Sequence, residues 1–227
     1  MMAATLSPRK GFESDQRIVI PKVEWERYVA IADALPDRRD LRIIFVDGRV
    51  LLLGISRLHD WFVEVLGQLV VVVANRLGLV WEQAGQATFR RRDLAVGVEG
   101  DKTFYFGPNA ERMRGPLNID LVTQPPPDLA IEVEVSHPAD AAMIAYGRLG
   151  VPEVWRYDVE RETLGFWRRR DDGTYEPMDR SVVLAPLEPN DVLEQLRRAD
   201  ALGSSGWFAQ LDDWARDVLL PRRVDPA

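Results

Sequence analysis

One segment stands out for its chemistry. In the run PPPDLAIEVEVS, Leu129, Ile131, Val133 and Val135 fall on one face of an extended chain, and Asp128, Glu132, Glu134 and Ser136 fall on the other. Residues two apart along a strand point the same way. A strand with one apolar face and several carboxylates on its second face must solvate those charges, pair them, or hold a cation with them. The run before it, VGVEGDKTFYF, repeats the arrangement, with Glu99 and Asp101 on one face and Val98, Phe104 and Phe106 on the other. Alternation points Lys102 away from Asp101. If the two strands are neighbours, the acids converge on one cleft. They would then supply what Mg²⁺ or Mn²⁺ takes: one or two carboxylates, completed by waters and phosphate oxygens. The same spacing also fits an acidic, solvent-facing sheet surface neutralised by arginines from elsewhere.

The elements that must position these acids follow from local signals. Residues 1–20 show little periodicity and read as a loose arm. Lys22 to Leu35 reads as a short amphipathic helix with Trp25, Tyr28, Val29 and Ala32 on one side. Leu41–Phe45 and Val50–Leu53, joined at Asp47-Gly48, read as a hairpin. Ser56 is placed to cap a long helix ending near Leu77, with Gly78 as its stop. Strands are expected at about 80–89, 97–106 and 127–136, then a helix over 140–149 and a strand over 153–158. Leu164–Arg169 and Thr174–Pro177 read as a last hairpin. From Asn190 onward, two helical pieces are separated by Gly203-Ser204-Ser205-Gly206. The expectation is one α/β domain over 21–189, with an N-terminal helix and hairpin and a C-terminal helical extension over 190–227.

Composition narrows the chemistry. The 227 residues contain no cysteine and two histidines, His59 and His137. That excludes a disulfide framework, a thiolate nucleophile, a cysteine zinc site and a multi-histidine metal centre, and leaves a hard cation on carboxylates as the metal option. The formal charge is −7, which opposes a nucleic-acid partner overall and makes the placement of basic residues decisive. All basic residues are arginines except Lys10, Lys22 and Lys102. The N-terminus lacks the pattern of a signal peptide, and the apolar stretch Trp61 to Ala74 is interrupted by Glu64 and Gln68. The expectation is therefore a cytoplasmic protein with no membrane span.

The run PPPDLAIEVEVS, Tyr146 and LGVPEVWRYD together resemble the Uma-type restriction-endonuclease family, within the PD-(D/E)XK nuclease superfamily. Upstream, His59-Asp60 resembles the His-Glu pair that opens the family's first core helix, Gln83–Arg91 resembles its GSTTFRR-like strand, and GVEGDKTFYF resembles its GVEPDxxFYI segment. The likeness runs over roughly residues 20–200. It implies a restriction-endonuclease-like α-β-β-β-α-β core and metal-dependent phosphodiester cleavage of DNA. Asp101 and Glu132 would be the metal ligands, Glu134 or Glu99 would assist through water, and His59 and Asp60 would line the cleft. Two departures matter. Gly100 replaces the family's proline, and both positions where the lysine is carried are empty, occupied by Glu134 and Ala142. An arginine such as Arg148 could stabilise charge but stays protonated and is a poor base.

Other residues have bland alternatives. Arg90-Arg91-Arg92 and Arg168-Arg169-Arg170 would either contact phosphates or form solvated faces. Asp128 either adds to the acidic field or caps a loop. Tyr146 and the Trp155 strand support the site by packing, and Trp207 and Trp214 dock one helix face on the domain or on a second subunit. The leading function is a Mg²⁺-dependent DNA endonuclease, with a homodimer suiting double-strand cleavage. The alternative is a catalytically inactive nuclease-fold protein that binds nucleic acid or protein.

Overall fold

The Asp47-Gly48 pair, with φ of 51° and 66°, turns the chain tightly between β2 (Leu41–Val46) and β3 (Arg49–Gly54). Two residues with positive φ are what a hairpin turn matched to strand twist requires. The computed structural model describes residues 16–35, 41–85, 87–115 and 119–223. Strand β1 (Arg17–Pro21) lies antiparallel on the outside of β3. The loose arm expected over 1–20 therefore gives way to a strand from Arg17; residues 1–15 lie outside the described residues. Helix α1 (Trp25–Asp33) covers this hairpin, and Tyr28 stacks on Phe45 at 4.7 Å.

Helix α2 (Arg57–Arg76) begins where Ser56 accepts the His59 backbone N–H, and Gly78 follows its end at φ 70°. By length and composition, with a mean hydropathy of 1.3, it could cross a bilayer, contrary to the reading of its apolar stretch. That surface is already used: 67% of the window is buried within the fold.

The segments expected as strands over 80–89 and 97–106 each break in two. Among the described residues, β4 (Trp81–Gly85) and β7 (Lys102–Phe106) pair with each other in a six-stranded sheet, while β5 (Thr88–Arg91) and β6 (Val96–Glu99) pair in a five-stranded one. The smaller sheet runs β1-β3-β2-β6-β5. The larger runs β11-β10-β9-β8-β7-β4, with β8 (Leu129–Glu134), β9 (Glu153–Asp158), β10 (Thr163–Arg169) and β11 (Tyr175–Met178). Alternation runs unbroken across Gly100 and so conceals the switch of sheet. Contrary to the expectation, Glu99 and Asp101 therefore do not share a face of one strand. Glu99 ends β6, and Asp101 lies in the bend before β7.

In the larger sheet, α2, β4, β7, β8, α4 (Asp140–Leu149) and β9 follow the expected order of helix, three strands, helix and strand. Strand β7 is antiparallel to β4 and β8, while β8 and β9 are parallel with α4 as the crossover. The sequence reading placed no helix where α3 (Gly107–Met113) follows β7. Helices α2 and α5 (Pro189–Trp214) share one core with Leu129, Ile131, Val133 and Val135. The other side of the larger sheet packs Ala130 and Val154 with α4, Ile44 and Val98. Gly203, at φ 70° and ψ 162°, breaks α5 where two pieces were expected. Trp207 and Trp214 lie in the main core, which makes the C-terminal helix part of it.

Glu153 at the start of β9 ties the sheet to the segment before α5. Its buried carboxylate accepts from the Ser181 hydroxyl (2.6 Å), Trp155 Nε1 (2.7 Å) and the backbone N–H groups of Val182 (2.8 Å) and Val183 (3.2 Å). Glu153→Ala leaves these donors unsatisfied. We expect a loss of about 3 kcal/mol or more, read by urea unfolding.

Candidate functional site

Asp101 occupies the bend where the chain passes from the smaller sheet to the larger, with 4% of its surface exposed. Its Oδ2 accepts two hydrogen bonds of 2.9 Å, from His59 Nε2 and from the Val133 backbone N–H. A carboxylate only accepts, so His59 carries its proton on Nε2 in this contact. His59 is delivered by the capped first turn of α2, and Val133 by β8. The other oxygen, Oδ1, lies 3.7 Å from Nε of Arg42 on β2.

Glu132 reaches the same place from β8. Its Oε1 accepts from the Tyr146 hydroxyl on α4 at 2.6 Å, and the Asp101 backbone N–H also hydrogen-bonds its carboxylate. Burial, then the charge of Asp101, pushes the Glu132 carboxyl up to about 8. Burial and the Glu132 charge raise the Tyr146 phenol well above its ordinary range. Gly100 makes room for this contact: a Cβ there would stand 2.4 Å from the Tyr146 hydroxyl oxygen. The glycine in place of the family's proline thus belongs to the site's packing.

A cavity of about 50 Å³ joins Arg42, His59, Glu99, Asp101, Glu132 and Glu134, and Ala142 also lines it. Glu134 is drawn to Arg156, with Oε1 2.6 Å from Nε. Glu99 accepts from the Ile43 N–H (3.0 Å) and the Thr88 hydroxyl (3.3 Å), and burial raises its pKa. The acidic face of β8 is therefore not a solvent-facing surface: Glu132 and Glu134 are 8% and 9% exposed.

Several residues singled out in the sequence lie elsewhere. Asp128 accepts from the Phe106 N–H (2.7 Å) and Asn109 Nδ2 (2.8 Å), fixing the start of α3. Asp60 is half exposed, 3.8 Å from His59 Nδ1. Arg90 pairs with Asp33, Arg91 with Asp93 and Arg92 with Glu26; these acids neutralise the run along β5. Arg148 pairs with Asp47 outside the cavity. Lys102 binds Glu64 at 3.0 Å, away from Asp101. Trp155 packs on Phe166 in the core. Arg42 was missed. Its signal was present in LRIIFV, where it shares a face with Ile44 and Val46, a lone charge on an otherwise apolar side.

Among the described residues, no three or more Asp, Glu or His side chains gather with the geometry of a metal cage. The donor set that does converge, Asp101 and Glu132, is hard oxygen chemistry in which burial, then the charge of Asp101, favours the protonated form of Glu132. Two such carboxylates are what Mg²⁺ takes when waters and phosphate oxygens complete its shell, so the residues fit that ion as a shared, substrate-completed position.

Without metal, Glu132 keeps its proton to higher pH in the folded chain than in the unfolded one. Between about pH 4.5 and about pH 8 the native state holds more protons, so stability falls as pH rises, by up to about 1.4 kcal/mol per unit. Glu132→Gln keeps a neutral acceptor for Tyr146 and should flatten that slope in urea unfolding with EDTA.

The Uma2 family, described as "Putative restriction endonuclease", matches residues 25–201. A crystal structure of "a putative nuclease belonging to DUF820" from Anabaena variabilis ATCC 29413 superposes with a TM-score of 0.51 at 12% identity, covering 74% of this chain and 96% of that one. That likeness is one of fold. No curated protein matches the chain.

Proposed function

The chain belongs to the Uma2 family, and on that premise we propose that it is a Mg²⁺- or Mn²⁺-dependent endonuclease that hydrolyses phosphodiester bonds in DNA. The observation that carries this reading is the burial of Asp101 and Glu132 against each other, in the cavity where α2, β8 and α4 meet. The α2-β4-β7-β8-α4-β9 order is in keeping with a restriction-endonuclease-like core.

In this reading Asp101 and Glu132 hold the divalent cation. A bound Mg²⁺ would supply charge for the oxygens of the reacting phosphate and acidity for a water. His59 acts as a positioning residue, since its Nε2–H fixes the rotation of the Asp101 carboxylate. Tyr146 does the same for Glu132. Hydrolysis joins a water oxygen to phosphorus, breaks the bond to the leaving ester oxygen and releases one proton to a base. Glu99, whose pKa burial raises, is the better acceptor for that proton; Glu134 is committed to Arg156. Ala142 leaves the lysine's position empty on the cavity wall. That vacancy is the observation that favours the second reading, a catalytically silent nuclease fold that binds nucleic acid or protein.

Cleavage of plasmid DNA with Mg²⁺ or Mn²⁺ is the test. The ions should raise the melting temperature of the wild-type protein, and Asp101→Asn should abolish both this rise and cleavage. An unchanged metal response in that variant would place the ions elsewhere. Ala142→Lys should increase cleavage by about 10²–10⁴-fold, the usual contribution of an acid–base or charge-stabilising group. If neither wild type nor Ala142→Lys cuts with either ion, catalysis is the wrong reading.

A further inference from the structure

We propose that the Arg42 guanidinium is an anion seat inside the Asp101 cavity and that the group it takes is a phosphate. That this phosphate is the one to be cleaved rests on the endonuclease reading above; that the seat binds phosphate does not.

Arg42 enters from β2 with its side chain 6% exposed. Its Nη1 makes only a 3.4 Å contact to the Leu41 carbonyl. Nε and Nη2 are fully buried and meet no acceptor among the described residues. The nearest carboxylate oxygen, Asp101 Oδ1, stands 3.7 Å from Nε, too far for a hydrogen bond. A guanidinium does not deprotonate, so burying it with two unmet donors is costly until an acceptor arrives.

The two unmet donors are also the right two. Nε and Nη2 form one edge of the guanidinium, the fork that grips two oxygens of a carboxylate or phosphate at once. Arg91 shows that edge filled, with Nε and Nη2 on the two oxygens of Asp93. In Arg42 the same edge meets no acceptor among the described residues, and the residue lines the cavity. Arg17 also lines this cavity and adds to its positive side.

Acids around the seat do not forbid an anion, because most of their charge is already answered. Asp101 is hydrogen-bonded by His59 and the Val133 N–H, Glu132 by the Tyr146 hydroxyl, Glu99 by the Ile43 N–H and the Thr88 hydroxyl, and Glu134 is paired with Arg156. A carboxylate ligand would present only two oxygens to this set, whereas a tetrahedral phosphate reaches Arg42 with two and leaves others for the facing wall.

The test is made in EDTA at constant ionic strength, with inorganic phosphate and with a dinucleoside monophosphate as separate ligands. At about a hundredfold its dissociation constant, each should raise the melting temperature of wild type by about 5–11 °C. Arg42→Gln should lose the rise, and Arg42→Lys should lose most of it because an ammonium lacks the fork. The Nε–H resonance of Arg42, followed by ¹⁵N NMR in the wild-type protein, should shift and saturate with the same ligands, which keeps the test independent of how the variants fold. A resonance that ignores both ligands, or an Arg42→Gln protein stabilised as much as wild type, overturns the seat. A response to inorganic phosphate without one to the diester overturns its assignment to a scissile phosphate. A protein that binds both ligands yet never cuts DNA supports the seat and sinks the endonuclease reading. A protein that cuts while Arg42 stays silent does the reverse.

Discussion

A single carboxylate oxygen, Asp101 Oδ2, is held between the imidazole of His59 and the backbone N–H of Val133. Through those bonds the first turn of α2, the centre of β8 and the bend between the two sheets are fixed to one atom. Glu132 is then set by the Asp101 backbone N–H and by Tyr146, which brings α4 into the same arrangement. Unmet, a buried N–H and a buried imidazole would each cost free energy comparable to a lost hydrogen bond. The site and the junction of the sheets are thus one set of contacts, and the geometry of the acids is inherited from the fold rather than added to it.

Charge is distributed accordingly. Arginine carries nearly all the positive charge of this acidic chain, and much of it is spent on neighbouring carboxylates along strand edges. One of the two densest runs, Arg90–Arg92, ends in three separate acid pairs at the edge of the smaller sheet. Cations that matter to the cavity come from isolated positions instead: Arg42 on β2 and Arg156 on β9, the latter in register with Glu132. Density of basic residues along the sequence was a poor guide to where positive charge is available.

What the sequence disclosed was what local chemistry decides. The Asp47-Gly48 turn, the Ser56 cap, the α4 span and the β9 span depend on neighbours within a few residues, and each lies within a residue or two of its expected place. The two faces of β8 were legible from alternation. Their environment was not, because whether a polar face is solvated or buried depends on what the rest of the chain places over it. Here the smaller sheet and α4 cover it, and the chain reaches that sheet by breaking two strands that read as continuous. Alternation survives a change of sheet when the break falls at a glycine and the facing parity is kept. Arg42 was overlooked for the same reason: the cavity it lines is built by elements distant in sequence.

Gly100 and Tyr146 occupy, in effect, one volume. The phenol oxygen stands where the first carbon of any side chain at position 100 would have to go, and it is also the atom that holds Glu132. The two positions are therefore coupled by space in this chain. A larger residue at 100 requires the 146 side chain to shift, and a shifted phenol holds the acid from a different place. The size of residue 100 therefore sets where the phenol stands in this chain, and through the phenol how Glu132 is restrained.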